Sequence, residues 1–429
     1  MGLRKRVYTD RETIITAESM NEIQDAILDL EDGLFSIDND KSGEIIAVTD
    51  AAKRGFRSLN IFGKTKQNGT PTPDAPVDLV SAGNDGTLAV NVCGKNLLKF
   101  AVEGNTYTDS GITVTFDKDG CVANGTPAKN YVRVCTIANF ALPKGTYYVS
   151  GGSAGKFYAQ VNITKNDTVS YYINKAFTID GTETRVEVAL QTSTVEETGT
   201  IANYRVYPML VIGSIAPTEY ESYKGQTLTL STPNGLPGIP VTSGGNYTDA
   251  DGQQWICDEI DFARGVYVQR CVKLSANQLG TNGTYLEFTN CARLSCNLTP
   301  KTILSPNGLS THLPMIGNYT SDTPHFYTQD SVCWVFAPIS ALTERNAAGV
   351  IAWAKGLGIE FAYILREPIE TPLSEEEFAA YAALHTYKGN TTVSNDAGAW
   401  MELEYVMDAK KYIDSLVGTG GSILPARVE

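Results

Sequence analysis

The stretch GITVTFDKDG, residues 111–120, decides the fold class of the chain because its apolar and polar residues alternate strictly. Ile112, Val114 and Phe116 fall on one face of an extended chain, and the intervening threonines fall on the other. The DKDG that follows is typical of a tight turn between two strands. The stretch therefore predicts a half-buried β-strand that enters a hairpin.

The same alternation recurs in KFYAQVNIT (156–164), TETRVEVAL (182–190) and YRVYPMLVIG (204–213). Several short alternating strands in one region favour two sheets packed face to face. In KFYAQVNIT the apolar residues Phe157, Ala159, Val161 and Ile163 are expected to point into the core, and Tyr158, Gln160 and Asn162 are expected to face solvent.

The composition and net charge of the chain exclude some classes of partner. The chain has 429 residues, 42% hydrophobic and 19% charged, which fits two to four globular domains. Its net charge of -14 opposes binding to nucleic acid or to anionic lipid, so we expect neither as a partner. The first twenty residues lack the apolar core of a secretory signal, so we expect assembly inside the cell.

Eight cysteines are scattered along the chain without the paired spacing of a zinc site. We expect reduced, mostly buried thiols, and we predict neither a metal site nor a cofactor.

A heptad pattern marks the N-terminus. The apolar residues that alternate at three- and four-residue spacing are Met20, Ile23, Ile27, Leu30 and Leu34. This pattern predicts a short helix that trimerises as a coiled coil. A single helix packed on its own domain remains the alternative, since two heptads are few.

Further along, WICDEIDFARGVYVQRC (255–271) predicts a hairpin that turns at Ala263-Arg264-Gly265. That turn would place Cys257 opposite Cys271, Asp258 opposite Arg270, and Ile260 opposite Val268.

The C-terminal part predicts a mixture of helices and strands. LTERNAAGVIAWAKGLG (342–358) predicts a helix capped by Thr343, and SEEEFAAYAALHTY (374–387) opens with a capping box from Ser374 to Glu377. The fold class we expect is mainly β and multidomain, with an N-terminal helix, a β-sandwich or jelly roll, and a C-terminal α+β domain. The predicted ranges are 1–45 (attachment and trimerisation helix), 46–94 (β linker region), 95–225 (jelly-roll sandwich), 226–254 (connector) and 255–429 (α+β domain).

Several quoted stretches together resemble the tail or baseplate minor structural proteins of phages and prophages of Gram-positive bacteria. They are VYTDRETIITAESMNEIQDAILDLE, RSLNIFGKTKQNGTPTPDAPVDLVSAG, VCGKNLL, DEIDFARGVYVQR and TPLSEEEFAAYAALHTYKGNTTVSNDAGAWMELEY. Within residues 95–223, GKNLL and PMLVIGSIAPTEYESY resemble the boundaries of carbohydrate-binding-module-like jelly rolls.

The resemblance implies a virion component, assembled in the host bacterial cytoplasm, of the tail fibre or receptor-binding type. It implies a homotrimer, attachment to other tail or baseplate proteins through the N-terminus, and host cell-wall polysaccharide as the partner. It supplies no catalytic residue.

Glycan recognition needs aromatic faces and planar polar groups on a rigid surface. The candidates on the sandwich are Tyr158, Gln160, Asn162, Tyr172 and Asn174, with Tyr171 and Ile173 expected to face the core. The candidates in MIGNYTSDTPHFYTQDSVCW (315–334) are Tyr319, Phe326, Tyr327 and Trp334. The first set could equally be ordinary surface residues, and the second could fill a core or a subunit interface.

No enzyme is predicted. Glycan hydrolysis needs two carboxylates across a cleft, whereas Glu259 and Asp261 are expected on one solvated strand face. We also expect no nucleophile elbow of the GxSxG type, although GGSAG (151–155) matches its letters. The alternatives to an adhesive tail protein are a tail-associated glycan hydrolase and a non-binding connector of the tail tip.

Overall fold

The computed structural model describes residues 41–49, 53–99, 104–118, 120–140, 142–280, 283–302, 307–317, 322–387 and 390–407. The protein is mainly β, with 52% of residues in strands and 8% in helices, which confirms the expected class. The predicted N-terminal helix and its five heptad residues lie outside the described residues. Strands are numbered β1 to β31 and helices α1 to α3 along the described chain.

A long antiparallel sheet joins the two ends of the described chain. Its seven strands lie in the order β1 (Lys41–Gly43), β31 (Trp400–Met407), β3 (Lys53–Phe62), β22 (Glu259–Asp261), β23 (Val266–Ser275), β29 (Glu360–Pro372) and β26 (Gly308–Ser310).

A second antiparallel sheet packs against the first. It contains β18 (Gly225–Thr232), β6 (Gly86–Cys93), β30 (Asn390–Asn395) and β2 (Ile45–Thr49), in that order. The core between the two sheets includes Leu59, Ile61, Val90, Leu228 and Met401, all essentially inaccessible to solvent. We call these two sheets the base unit, and they unite residues that are more than 300 positions apart in sequence.

Residues 106–212 leave the base unit after β6 and return to it at β18; we call them the middle unit. One layer is the sheet β10 (Arg133–Phe140), β15 (Arg185–Thr192), β12 (Phe157–Lys165) and β13 (Thr168–Tyr172). The other layer holds two sheets, β14 (Lys175–Ile179)–β11 (Gly145–Ser150)–β17 (Met209–Ile212) and β16 (Ile201–Val206)–β9 (Gly120–Gly125)–β8 (Ile112–Asp117)–β7 (Thr106–Asp109). One core fills the space between the layers.

Residues 276–359 form a third unit between β23 and β29. Its sheet has the order β24 (Tyr285–Glu287), β25 (Cys291–Asn297), β28 (Val332–Pro338) and β27 (His325–Gln329). Helix α2 (Ala347–Gly356) contributes Val350, Ile351 and Ala354 to the core of this unit, and β29 contributes Phe361 and Tyr363. Two 3-10 turns complete the unit, Ala276–Gln278 and Ile339–Ala341.

Short elements lie outside these larger sheets. They are β4 (Thr65–Lys66) with β5 (Val80–Ser81), the sheet β19 (Gly238–Val241)–β21 (Gln254–Cys257)–β20 (Tyr247–Thr248), α1 (Val195–Thr198) and α3 (Glu375–Ala382). The range predicted as a connector thus contains strands, and residues 255–407 supply strands to the base unit as well as the third unit. No helix among the described residues is long and apolar enough to cross a bilayer.

Several local predictions are confirmed. Ile112, Val114 and Phe116 are buried in the core of the middle unit, and β8 turns into β9 immediately after residue 117. Ser374 and Glu377 form the predicted capping box of α3. The cap of α2 is different: Asn346, not Thr343, accepts the N–H of Gly349, at 2.9 Å.

The hairpin of residues 255–271 exists, but its predicted register is wrong by one residue. Glu259 pairs with Val268, Ile260 with Tyr267 and Asp261 with Val266. Asp261 Oδ1 accepts the N–H of Arg264 at 3.0 Å, which stabilises a four-residue loop where we expected three.

The predicted pairing of Cys257 with Cys271 is also wrong. Cys257 pairs with Gly238 and Cys271 with Ile364, because the chain leaves one ladder and joins another at Asp258. None of the eight cysteines, all of which lie in the described part of the chain, forms a disulfide, and the expectation that most are buried is confirmed for seven.

Candidate functional site

The candidate site lies on the outer side of the sheet β10-β15-β12-β13 in the middle unit. Strand β12 directs Phe157, Ala159, Val161 and Ile163 into the core, as expected. Its opposite face carries Tyr158, Gln160 and Asn162, but these side chains are only 2%, 3% and 5% exposed. The prediction that they face solvent is therefore wrong, although the alternation that assigned them to the outer side is correct.

The strand register explains what covers them. Arg133, Gln191 and Tyr158 form one row across β10, β15 and β12. Four positions along β15 from Gln191, another row places Glu187 beside Asn162, and Tyr171 of β13 follows on the far side of Asn162. The central strand is thus flanked on both sides by long side chains.

A hydrogen-bonded chain runs across this face. Gln160 donates from Nε2 to Oδ1 of Asn162 at 2.5 Å, and Asn162 donates from Nδ2 to Oε1 of Glu187 at 3.0 Å. Glu187 forms ion pairs with both Arg133 and Arg185, the latter at 2.5 Å. We call Arg133, Gln160, Asn162, Arg185 and Glu187 the polar face.

The carboxylate of Glu187 is the centre of the polar face. Its side chain is 4% exposed, whereas both guanidinium groups that it binds reach the surface. Ala189 lies between Gln191 and Glu187 on the same side of β15, and its methyl group leaves room for Arg133 to reach across. Burial, together with the charge of Arg185, lowers the pKa of Arg133.

Two exposed tyrosines border the polar face. Tyr171 is 64% exposed and Tyr131 is 56% exposed. Tyr171 is the cross-strand neighbour of Asn162, and Tyr131 precedes Arg133 by two residues at the start of β10. Tyr131 has φ of 55°, a conformation that costs a non-glycine residue energy and that is enriched at binding sites.

The other predicted residues of the middle unit do not join this surface. The ring of Tyr172 packs against the core and lies 5.4 Å from Phe177, so the faces of Tyr171 and Tyr172 are the reverse of those predicted. Asn174 is exposed, but its side chain bridges the backbone of Gly151 and Gly152, both at 3.1 Å. Its amide therefore has a structural role.

The second predicted aromatic surface is largely a core. Phe326 is buried in the third unit, and Tyr327 is nearly buried and stacks on Trp334 with ring centroids 5.3 Å apart. Tyr319 lies outside the described residues. The alternative interpretation, that these aromatic residues fill a core, is correct for Phe326.

Five of the residues that form or border the polar face were not among the sequence candidates: Arg133, Arg185, Glu187, Tyr131 and Tyr171. The sequence did indicate two members of the polar face. In TETRVEVAL, Arg185 and Glu187 alternate with inward-facing valines. Opposite charges two residues apart on one strand face predict a paired cluster. The remaining residues come from separate strands, so their proximity depends on the sheet.

The acidic hairpin does not form a catalytic pair. Asp258, Glu259 and Asp261 are buried, which contradicts the solvated face that we expected. Asp258 accepts the N–H groups of Arg270 and Cys271 at 2.7 Å and the Tyr267 hydroxyl at 2.6 Å. Glu259 pairs with Arg270 at 2.8 Å. These contacts connect strands and leave the carboxylates without access to a substrate.

Within the described residues, no group of three or more His, Cys, Asp or Glu side chains is arranged to hold a metal ion. No protein-family model, curated protein or solved structure matches this chain.

Proposed function

We propose that the protein is a structural and adhesive component of a phage tail or tail-like particle, of the fibre or baseplate receptor-binding type, and that its polar face binds cell-surface glycan. The observation that carries this proposal is the pair of surface guanidinium groups held by one buried carboxylate between two exposed tyrosines. The part of the proposal that places the protein in a tail particle rests on the sequence resemblance described above.

The chemistry of the polar face suits a sugar. A tyrosine ring packs against the apolar face of a pyranose, and a guanidinium donates several hydrogen bonds in one plane to hydroxyl or carboxylate oxygens. Because Glu187 fixes both arginines, their orientation is set before a ligand arrives, which lowers the entropic cost of binding.

The buried amides act indirectly in this proposal. Gln160 and Asn162 use their hydrogen bonds to orient Glu187, so they are positioning residues. The residues that contact glycan are Arg133, Arg185, Tyr131 and Tyr171. The two-layer middle unit would then be a carbohydrate-binding jelly roll, and three chains per fibre would raise the effective concentration of weak sites.

Calorimetry tests the proposal by measuring how tightly bacterial cell-wall polysaccharides bind the purified full chain. Tyr171→Ala and Arg133→Ala should each weaken binding about tenfold, since each removes a ligand contact worth about 1 to 2 kcal/mol. Tyr207→Ala is the matched control, because Tyr207 is also exposed but lies on the opposite layer of the middle unit.

Equal affinity of all four proteins would refute the polar face as the binding site. Absence of binding to every polysaccharide would favour the connector instead. Release of reducing sugar by the wild-type chain would favour the hydrolase.

A further inference from the structure

A trough separates the middle unit from the base unit. A cavity of about 410 Å³ and a neighbouring one of about 670 Å³ share Glu44, Lys64, Pro143 and Lys144 in their walls, so the two are continuous. Volumes of this size are typical of sites for small molecules or short oligomers. The trough lies apart from the sequence candidates.

We propose that this trough binds an acidic group, a carboxylate or a phosphate, carried by the glycan chain that the polar face holds. The inference rests on the proposed function and deepens it, since it specifies an acidic polysaccharide as the ligand class.

One wall of the trough is rigid and aromatic. Trp400 stacks on Tyr247 with ring centroids 4.8 Å apart, and Tyr247 stacks in turn on Phe62 at 4.9 Å. Lys64 places its ammonium 4.4 Å from the Trp400 ring and 3.0 Å from Glu44. Lys64 is therefore already neutralised and forms part of the wall.

Two other lysines differ from Lys64. The ion pairs among the described residues do not include Lys66 or Lys144. Both side chains run beside glycines that line the trough: a Cβ on Gly398 would lie 3.8 Å from Nζ of Lys66, and one on Gly181 would lie 2.9 Å from Cε of Lys144. The missing side chains at these glycines leave room for the lysines, whose charges lack a carboxylate partner among the described residues.

The acidic residues of the larger cavity are already bound to donors. Glu183 accepts the N–H groups of Asp180 and Gly181 at 3.0 and 2.9 Å. Asp396 accepts the N–H of Ala89 at 2.9 Å, and Glu44 pairs with Lys64. In a chain with a net charge of -14, the larger cavity is lined by four basic and three acidic side chains. In the larger cavity, the groups left to a ligand are therefore cationic, whereas Asp249 and Asp251 line the smaller one.

Arg185 links the trough to the polar face. It lines the larger cavity and also forms the ion pair with Glu187. A glycan that lies on Tyr171 and Arg133 can thus extend past Arg185 toward Lys66 and Lys144. A charge-assisted hydrogen bond from an ammonium to a carboxylate or phosphate oxygen is stronger than one to a neutral hydroxyl, so the acidic group adds affinity.

Matched ligands test this directly. The full chain is titrated with a polyuronate oligosaccharide, with its carboxyl-reduced neutral counterpart, and with a phosphodiester-linked sugar oligomer. We expect the wild type to bind at least one acidic oligomer about tenfold more tightly than the neutral one at low salt, and we expect added salt to reduce that preference. The better of the two acidic oligomers identifies the carboxylate or the phosphate as the ligand group.

The variant Lys66→Gln/Lys144→Gln should lose the preference while it still binds the neutral oligomer through the polar face. Lys175→Gln is the control, since Lys175 is an exposed lysine of the middle unit that does not line the trough. Equal binding of neutral and acidic oligomers by the wild type, or an unchanged preference in the double variant, would overturn the inference and leave the polar face standing. Failure of the wild type to bind any oligomer would refute both proposals.

Discussion

Glu187 shows how a single residue sets the properties of a surface. Its buried carboxylate contacts two guanidinium groups and the amide of Asn162, so its charge is compensated only while these partners remain. A buried charge that loses its partner destabilises a protein by several kcal/mol, about 3 to 5 in measured cases. The polar face is therefore part of the stability of the middle unit as well as a candidate site.

Asp258 is a second residue whose burial has a measurable consequence. Burial raises the pKa of Asp258 from 3.8 to about 7. The folded protein then keeps the proton over a pH range in which the unfolded chain releases it. The resulting stabilisation is fully present below about pH 4 and is lost as the pH rises through about 7, with an upper limit of about 4 kcal/mol.

Asp258→Asn should remove this pH dependence. An asparagine keeps Oδ1 as acceptor for the N–H groups of Arg270 and Cys271, and its Nδ2 can donate to the Tyr267 hydroxyl. We expect the unfolding temperature of the wild type to fall between pH 5 and pH 8 by more than that of the variant. Calorimetric scans across this range provide the measurement. Asp74→Asn, at an exposed carboxylate, should follow the wild type, and parallel curves for all three proteins would contradict the assignment.

At the scale of elements, helix α2 begins at a different residue from the one that the sequence pattern predicted. Thr343 satisfied the pattern of a capping residue, but Asn346 makes the cap, and residues 342–346 lie outside the helix. Gly349 is part of the reason that the helix is capped by Asn346. A Cβ at Gly349 would lie 1.9 Å from the carbonyl oxygen of Glu344, so this approach of the preceding loop to the first turn requires glycine.

Asn346→Ala should therefore weaken α2 and Thr343→Ala should not. Loss of an N-cap costs about 1 kcal/mol, which corresponds to about fivefold faster amide exchange if the helix opens locally. Hydrogen exchange of the α2 amides is the suitable measurement, because a chain with several cores need not unfold in one step. Faster exchange in the Thr343 variant, with none in the Asn346 variant, would show that the cap has been assigned to the wrong residue.

At the scale of the whole molecule, the base unit forms a frame from which two units extend. The middle unit leaves it between β6 and β18, and the third unit leaves it between β23 and β29. Since β6 and β18 are paired neighbours in one sheet, both ends of the middle unit are fixed side by side. The polar face and the trough thereby keep a defined position relative to the first described strand, β1.

Trimerisation through residues 20–34 is a prediction about the region before the described residues. Light scattering of the purified chain should give three times the mass of 46.3 kDa. Ile27→Asp should yield a monomer with unchanged melting of the β units, because a charge in the seam opposes burial against two other copies. Gln24→Asp is the control. Because Gln24 is not one of the five apolar seam residues, this variant should remain trimeric. A wild-type monomer at high concentration would refute the coiled coil.

Sequence alone determined the β class, the core residues of β8 and the inward face of β12, and the capping box of α3. Each depends on neighbours within about ten positions, where alternation and capping follow from backbone geometry. Burial of Tyr158, Gln160 and Asn162 depended instead on side chains from β10, β13 and β15, and the sequence does not show that these strands share a sheet with β12.

Tertiary structure also decided the hairpin register, the pairing of the two ends of the described chain in one sheet, and the trough between units. The register was set by the contacts of two side chains, Asp258 and Asp261, with the backbone of the opposite strand and the loop. The trough requires residues 44 and 396 of the base unit to meet residue 144 of the middle unit, which depends on how the two units pack together. Long-range pairing is chosen by the packing of the whole chain, which local patterns do not encode.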